Sequence, residues 1–226
     1  MRNVSLFAVC VVLLGCGGAP APAPEASAPA REPAQPVQQA VPADGRPCIV
    51  AFGDSLTAGF GADTGKSYPD FLQQELDKRH LPYRVVNAGI SGETTTDALE
   101  RLPSITAQKP AVVIVEFGGN DGLRGLPIAT TRSNLDQIVS VLKASGTQVL
   151  LAGMTLPPNY GPDYIASFQA IYSDLARKHH VALMPFLLDG VAGTSRMQRD
   201  GLHATAEGNR IVAANVARYL FPLLQK

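Results

Sequence analysis

The sequence lacks an excess of charge of either sign: among its 226 residues, 19 are lysine or arginine and 19 are aspartate or glutamate. A protein that binds nucleic acid through its phosphates needs a basic surface, so we expect no nucleic-acid partner. The sequence also shows no period of a solenoid repeat, which argues against a repeat architecture. A chain of this length is typical of one ordinary domain with additional segments.

Cysteine is scarce, and each of the three copies has a separate explanation. Cys10 lies in an N-terminal export signal, and Cys16 closes the motif that ends this signal. Cys48 is then left without a partner, so we predict no intramolecular disulfide, although exported proteins often contain them. We interpret Cys48 as a small apolar residue of a buried strand.

The N-terminal segment has the features of a lipoprotein signal. Arg2 supplies a positive start, and the apolar run at 6–14 is too short to cross a bilayer as an ordinary helix. The run ends in LLGC at 13–16, which resembles the lipobox of bacterial lipoproteins and implies a lipid on Cys16. An ordinary cleaved signal with an incidental cysteine is the alternative. Because glycine and not aspartate follows Cys16, we expect an exported protein that faces the periplasm, anchored in the outer membrane.

These features divide the chain into three parts. Residues 1–15 are the predicted signal peptide, and residues 16–47 combine the lipidated cysteine with a segment rich in alanine and proline. Such a segment has little to bury, so we expect a disordered tether; a plain linker without lipid fits the same composition. Residues 48–226 form the predicted folded domain.

In that domain, short apolar runs alternate with segments of helical periodicity. The runs predict five strands, at 48–52, 83–88, 111–117, 148–152 and 181–185. Helices are predicted between and after them, including one at 68–78 and one at 98–106 that Pro103 interrupts. Repeated strand–helix units imply a parallel sheet covered on both faces, a three-layer α/β/α sandwich. Ligands bind such sheets beyond the carboxyl ends of the strands, so we expect a functional site there.

The loops at those ends carry residues suited to acyl transfer. A serine nucleophile needs a base, the base needs an acceptor that fixes its tautomer, and the oxyanion of the intermediate needs donors. Ser55 follows the first strand, and Asp200 and His203 follow the fifth, so these three can supply the nucleophile, the orienting acid and the base. Gly92 after the second strand and Asn120 after the third can supply oxyanion donors, together with the Ser55 backbone.

Each of these residues also has a plain structural interpretation. Ser55 or the preceding aspartate caps a helix, Gly92 makes a turn, and Asn120 bridges a loop. His203 lies on the surface in that interpretation, and Asp200 is an acid at the approach to a helix. The Gly-x-Ser-x-Gly elbow of α/β-hydrolases is absent around the serine.

Taken together, the motifs resemble those of the SGNH, or GDSL, hydrolase family. GDSL at 53–56 matches its first block, Gly92 the second, GND at 119–121 the third, and Asp200 with His203 the last. The chain is most similar to the bacterial multifunctional thioesterase–lysophospholipase–arylesterase enzymes. That closer likeness rests on VNA at 86–88, ISG at 90–92, GGNDGLRG at 118–125 and NYG at 159–161. The likeness extends from residue 49 to the C-terminus.

The resemblance implies a flavodoxin-like sheet of five parallel strands, the catalytic triad Ser55, Asp200 and His203, and an oxyanion hole of Ser55, Gly92 and Asn120. It implies no metal and no organic cofactor. One departure concerns the residue after the histidine, because many relatives have proline there and this chain has Ala204. Proline would stiffen the loop, so we expect alanine to loosen it.

The function that follows is a serine esterase that hydrolyses acyl esters, of small molecules or lipids, through an acyl-serine intermediate. We expect a monomer, with Leu123 and Leu126 lying along the acyl chain of the substrate. Two alternatives remain open from the sequence: a carbohydrate O-deacetylase of the same family and a non-enzymatic surface lipoprotein. The apolar stretch at 123–128 favours an acyl chain over a sugar.

Overall fold

In the computed structural model, which describes residues 45–224, five parallel strands form one sheet in the order β2-β1-β3-β4-β5. The strands are β1 (Cys48–Gly53), β2 (Arg84–Gly89), β3 (Val112–Glu116), β4 (Gln148–Ala152) and β5 (Ala182–Met184). The predicted architecture is confirmed, and the predicted strand 148–152 matches β4. The predicted signal peptide, Cys16 and the tether up to residue 44 lie outside the described residues.

Helices cover both faces of the sheet. The α-helices are α1 (Ser55–Ala58), α2 (Tyr68–Lys78), α3 (Thr95–Thr106), α4 (Gly119–Leu123), α5 (Ile128–Ala144), α6 (Pro162–His179) and α7 (Ala206–Leu224). A short 3-10 helix (Pro158–Tyr160) precedes α6. Helix α2 packs against α7, while α5 packs against both α3 and α6. The three-layer arrangement follows from these two groups of helices, one on each side of the sheet.

Strands β1 and β3 form the centre of the core. Every residue of both strands is buried, as expected for strands that are covered on both faces. Cys48 begins β1 as a buried free thiol, in agreement with its interpretation as an apolar strand residue. Burial raises the pKa of this thiol.

Pro103 does not interrupt its helix, contrary to our expectation. Helix α3 runs without a break from Thr95 to Thr106, with Pro103 inside it. The proline lies near the C-terminal end, and the N–H of Ala107 still donates to the Pro103 carbonyl at 3.0 Å. The helix also begins earlier than predicted, because Thr94 and Asp97 form a capping box at its start.

The order of the strands indicates where a ligand would bind to this sheet. The chain passes from β1 to β2 on one side and then to β3 on the other side of β1. The sheet therefore has its switch point between β1 and β3, where two successive connections leave in opposite directions. Ser55 begins α1 just beyond the end of β1, and Asn120 lies in α4 just beyond the end of β3. Among residues 45–224, no helix combines the length and apolar character needed to cross a membrane.

Candidate active site

Ser55 is the first residue of α1 and lies directly beyond the end of β1. Asp54 is the N-cap of this helix, and its Oδ1 accepts a hydrogen bond from the Leu56 backbone N–H at 3.0 Å. A Cβ at Gly53 would overlap the hydroxyl of Thr57, so only glycine permits so tight a corner. Asp54 therefore supplies the cap, and the half-buried Ser55 side chain is left at the rim of the sheet.

The structure brings Ser55, His203 and Asp200 together in one hydrogen-bonded chain. The His203 Nε2 atom lies 2.9 Å from Ser55 Oγ, and His203 Nδ1 lies 2.6 Å from Asp200 Oδ2. The other oxygen of Asp200 accepts from the backbone N–H groups of Leu202 and His203, at 2.9 and 3.1 Å. These bonds orient the carboxylate, and the carboxylate orients the imidazole.

The same bonds set the ionisation of Asp200. Partial desolvation favours its neutral form, but the hydrogen bonds from His203 and from the two backbone N–H groups outweigh it and lower the pKa to about 2. Asp200 is thus an anion at neutral pH, as the acceptor of a His N–H must be.

The loop that carries His203 is anchored on both sides of that residue. Ala204 forms an antiparallel bridge with Met197, flanked by bonds from Gln198 N–H to the His203 carbonyl and from Thr205 N–H to the Arg196 carbonyl, both 2.7 Å. The Gln198 side chain also donates to the Ala204 carbonyl at 3.0 Å. The segment around Ala204 is therefore held in place by several hydrogen bonds.

Gly92 lies in the turn between β2 and α3, and Asn120 is the second residue of α4. Gly92 has a φ of +81°, which favours glycine in its turn. Within residues 45–224, the backbone N–H groups of Ser55 and Gly92 have no hydrogen-bond partner. The Asn120 side-chain amide donates to Asp54 Oδ2 at 3.0 Å and to the Glu93 carbonyl at 2.8 Å. Both hydrogens of the predicted donor are thus engaged in this structure.

Two arginines brace the turn that contains Gly92. Arg101 Nε donates to both carboxylate oxygens of Glu93, at 2.9 and 2.7 Å, and its Nη2 donates to the Gly53 carbonyl at 3.1 Å. Arg124 Nη2 donates to the Gly92 carbonyl at 2.7 Å. Because Arg101 reaches both the Gly92 turn and the residue before Asp54, it fixes the distance between the two loops.

Behind the serine lies a buried carboxyl group that we did not predict as part of the site. Glu116, the last residue of β3, has no exposed surface. Its Oε2 accepts from the Asp54 backbone N–H at 3.2 Å and from the Thr57 hydroxyl at 2.8 Å, so it anchors both sides of Ser55. The other oxygen has no hydrogen-bond partner among the described residues. The signal in the sequence was a single glutamate inside an otherwise apolar strand.

Asp54 and Glu116 share this buried space, and the ionisation of each carboxyl affects that of the other. Burial raises the pKa of Asp54 to about 6. Burial and the neighbouring Asp54 charge together raise the pKa of Glu116 well above its usual range. Two buried carboxyls this close favour states in which at least one proton remains on the pair.

The predicted acyl-binding residues follow Asn120 closely in the chain, Leu123 at the end of α4 and Leu126 in the loop before α5, and two tyrosines hold this segment. Leu123 and Leu126 are both half-buried. The Tyr160 hydroxyl donates to the Leu123 carbonyl at 2.8 Å, and the Tyr164 hydroxyl donates to the Leu126 carbonyl at 3.4 Å. The backbone of the loop is thus positioned while parts of both leucine side chains remain accessible.

The arrangement has the parts that acyl transfer requires. A hydroxyl, an imidazole and a carboxylate are aligned, and two backbone N–H groups beside the hydroxyl are free to donate. Among the residues that the structure describes, no cluster of three or more potential ligands for a metal ion occurs.

Comparisons with known proteins found several similar chains. Residues 51–211 match the model of the GDSL-like Lipase/Acylhydrolase family. The chain is 44% identical over 178 residues to Esterase TesA of Pseudomonas aeruginosa, covering 78% of this chain and 89% of that protein. It is 39% identical over 178 residues to Thioesterase 1/protease 1/lysophospholipase L1 of Escherichia coli K12. This alignment covers 78% of this chain and 84% of that protein. A crystal structure of TesA matches with a TM-score of 0.76 at 43% identity, covering 78% of this chain and 99% of that one.

Proposed function

The chain belongs to the GDSL-like lipase/acylhydrolase family, and we propose that it hydrolyses carboxylic esters through an acyl intermediate on Ser55. The observation that carries the proposal is the 2.9 Å contact between His203 Nε2 and Ser55 Oγ, with Asp200 at 2.6 Å from the other ring nitrogen. A nucleophile, a base and an orienting acid in hydrogen-bond contact are what the reaction needs.

In the first half of the reaction, Ser55 Oγ attacks the ester carbonyl while His203 Nε2 takes its proton. The tetrahedral intermediate collapses as the bond to the alcohol oxygen breaks, and His203 gives its proton to that oxygen. In the second half, water attacks the acyl carbonyl while His203 Nε2 takes its proton. The bond from the acyl carbon to Ser55 Oγ then breaks, His203 returns the proton to Oγ, and the acid is released. Asp200 stays ionised throughout and stabilises the imidazolium, consistent with its low pKa.

The oxyanion of each intermediate is stabilised by three donors in this proposal. The free N–H groups of Ser55 and Gly92 supply two of them. Asn120 supplies the third when one of its amide hydrogens exchanges its present acceptor for the oxyanion. The hydrogen bond to the Glu93 backbone carbonyl is the one that breaks, because the bond to the Asp54 carboxyl group holds the side chain in place.

Replacement of Ser55 tests the mechanism. Ser55→Ala and His203→Ala should each lower kcat by roughly four to six orders of magnitude, with p-nitrophenyl esters as substrates. Thr205→Ser, which keeps a hydroxyl at a half-buried position outside the triad, is the control for nonspecific damage. Near wild-type turnover by purified Ser55→Ala would refute the proposal. A panel that adds acyl thioesters, lysophospholipids and acetylated sugars distinguishes an acyl esterase from a carbohydrate deacetylase.

The proposal extends to the location of the enzyme. The LLGC motif at 13–16 supports lipidation of Cys16, and the Ala- and Pro-rich segment behind it would hold the catalytic domain away from an outer membrane, facing the periplasm. Mass spectrometry of the mature N-terminus tests this: wild type should carry lipid on Cys16, and Cys16→Ser should not. An unmodified N-terminus beyond residue 16 in wild type would indicate ordinary secretion instead.

A further inference from the structure

An exposed aromatic ring lies against the base of the triad. Among residues 45–224, only four large apolar side chains are strongly exposed: Phe60, Val141, Leu202 and Tyr219. Two of them flank the active site. The Phe60 ring is 52% exposed, yet its centroid lies 4.6 Å from that of the His203 imidazole. Leu202, 39% exposed, directly precedes His203.

The backbone around Phe60 is built to present this ring. Gly59 and Gly61 on either side of it have φ values of +80° and +72°, in a region that favours glycine. The Phe60 N–H donates to the Ser55 carbonyl at 3.0 Å, and the Phe60 carbonyl accepts from the Gln198 side chain at 2.7 Å. Because Gln198 also holds the Ala204 carbonyl, one side chain ties the Phe60 turn to the His203 loop.

An exposed apolar ring on an anchored backbone contributes little to the stability of the free protein. About half of its surface faces water, so it contributes only part of the stabilisation that a buried phenylalanine would. A fixed aromatic surface of this kind does favour binding, because the ligand does not have to order it.

The chemistry of the triad indicates which part of an ester meets this ring. His203 Nε2 must come within hydrogen-bond distance of the alcohol oxygen to protonate it as it leaves. The carbonyl oxygen points instead to the donors at Gly92 and Asn120, beside the loop with Leu123. Because the Phe60 ring lies 4.6 Å from that imidazole, a substituent on the alcohol oxygen would come close to the ring.

We propose that Phe60 is a specificity-determining residue, whose ring contacts the alcohol portion of the substrate and discriminates in favour of apolar alcohols over small ones. The inference rests on the proposed function, since it requires His203 to protonate the leaving alcohol. Leu202 adds apolar surface on the loop that carries His203, and its backbone N–H donates to Asp200.

The test compares two acetates that differ only in the alcohol, benzyl acetate and methyl acetate, whose alcohols are of similar acidity. Both give the same acetyl-enzyme, so contact with the alcohol affects acylation, which kcat/KM reports, and leaves deacylation unchanged. Phe60→Ala should lower kcat/KM for benzyl acetate by about 3- to 10-fold and change that for methyl acetate by less than about twofold. Phe60→Leu, which keeps apolar surface but no ring, should lie between wild type and Phe60→Ala.

Val141→Ala is the matched control, because Val141 is also an exposed apolar residue but lies near the C-terminal end of α5. This variant should leave the ratio of the two kcat/KM values unchanged. An equal loss on both acetates, with an altered pH profile, would show that Phe60 acts by supporting His203 and would overturn the inference. So would no loss on either acetate. The proposed function fails separately, if wild type hydrolyses no ester or if Ser55→Ala remains active.

Discussion

Replacing Glu116 with glutamine should flatten the dependence of protein stability on pH above about pH 6. Glu116 is fully buried at the end of β3, where it accepts hydrogen bonds from the Asp54 N–H and the Thr57 hydroxyl. Glutamine has nearly the same shape, can accept the same bonds through its carbonyl oxygen, and has no ionisable proton. The substitution therefore removes a titrating group with little change in packing.

The sign and size of the effect follow from the raised pKa values. In the unfolded chain both carboxyls titrate near pH 4, whereas in the folded protein Asp54 titrates at about 6 and Glu116 well above its usual range. The folded state keeps protons that the unfolded state has lost, so the stabilisation is complete below about pH 4 and is lost as pH rises through the folded pKa values. Above about pH 6 the remaining difference is the Glu116 proton.

One proton corresponds to about 1.4 kcal/mol of unfolding free energy per pH unit. Wild type should therefore lose up to about 3 kcal/mol relative to Glu116→Gln between about pH 6 and pH 8. The two curves begin to diverge near pH 4, where Glu116 titrates in the unfolded chain, and they run parallel only below that pH. The other groups facing Glu116 do not interfere, because burial raises the pKa of Tyr68 and of Tyr172 and both remain protonated. Asp121, also buried nearby, is held by hydrogen bonds from Thr95.

Urea titrations at half-unit steps of pH measure the effect. Asp174→Asn is the control, because hydrogen bonds from Arg132 and Arg177 lower the pKa of that half-buried surface carboxyl. Its stabilisation is lost only as pH falls below about 4, so this variant should leave the slope above pH 6 unchanged. If wild type and Glu116→Gln remain parallel from pH 4 to pH 8, then the folded protein does not raise the pKa of Glu116.

Two further predictions concern the loop after β3. Asn120→Ala should lower kcat by about two to three orders of magnitude with a smaller change in KM. It should also lower the unfolding free energy by about 1–3 kcal/mol, since Asp54 and the Glu93 carbonyl lose a donor; weaker binding at normal kcat would identify it as a binding residue. Leu126→Ser should shift preference across a p-nitrophenyl ester series towards short acyl chains. The substitution removes apolar surface on which a longer chain would be buried, and each methylene buried there contributes at most about 0.8 kcal/mol. Retained turnover of the acetyl ester is expected, and an unchanged profile from acetyl to octanoyl would contradict acyl binding along this loop.

The fold could be predicted because the strands are short apolar runs between turn residues. β1 and β3 are buried on both faces, so nearly every residue in them is apolar, and this pattern needs no knowledge of their neighbours. The sequence predicts five residues for strand β5, but the strand has only three, because only Ala182–Met184 pair with β4. Boundaries of this kind depend on pairing, which the local sequence does not contain.

The site could be predicted only in part, for a related reason. Residues that directly follow a strand, such as Ser55 and Asn120, are placed by topology alone. The supporting contacts join positions far apart in the chain: Glu116 and Asp54 are 62 residues apart, Arg101 and Gly53 are 48 apart, and the partner of the Phe60 carbonyl is 138 residues away. No motif encodes such pairs, so Glu116 and Arg101 were recognised only in three dimensions.

Ala204 is where the sequence led us to expect a loosened loop, and the contacts around it lead to a different prediction. The residue is buried and bridged to Met197, yet its own N–H makes no hydrogen bond within residues 45–224. Proline at this position would remove no bond, and the flanking bonds of Gln198 and Thr205 would remain. Rigidity of the His203 loop therefore comes from these bonds and does not require proline.

Ala204→Pro should accordingly leave kcat and KM within about twofold of wild type, since His203 is already positioned. It should raise the unfolding free energy by about 0.4–1 kcal/mol, because proline reduces the conformational freedom of the unfolded chain. Ala206→Pro is a suitable comparison, since Ala206 is the first residue of α7 and proline is well tolerated there. Stability from urea titration and ester kinetics on the same preparations provide the measurement. A large rise in kcat for Ala204→Pro, without a similar rise for Ala206→Pro, would show that alanine does leave His203 loosely held.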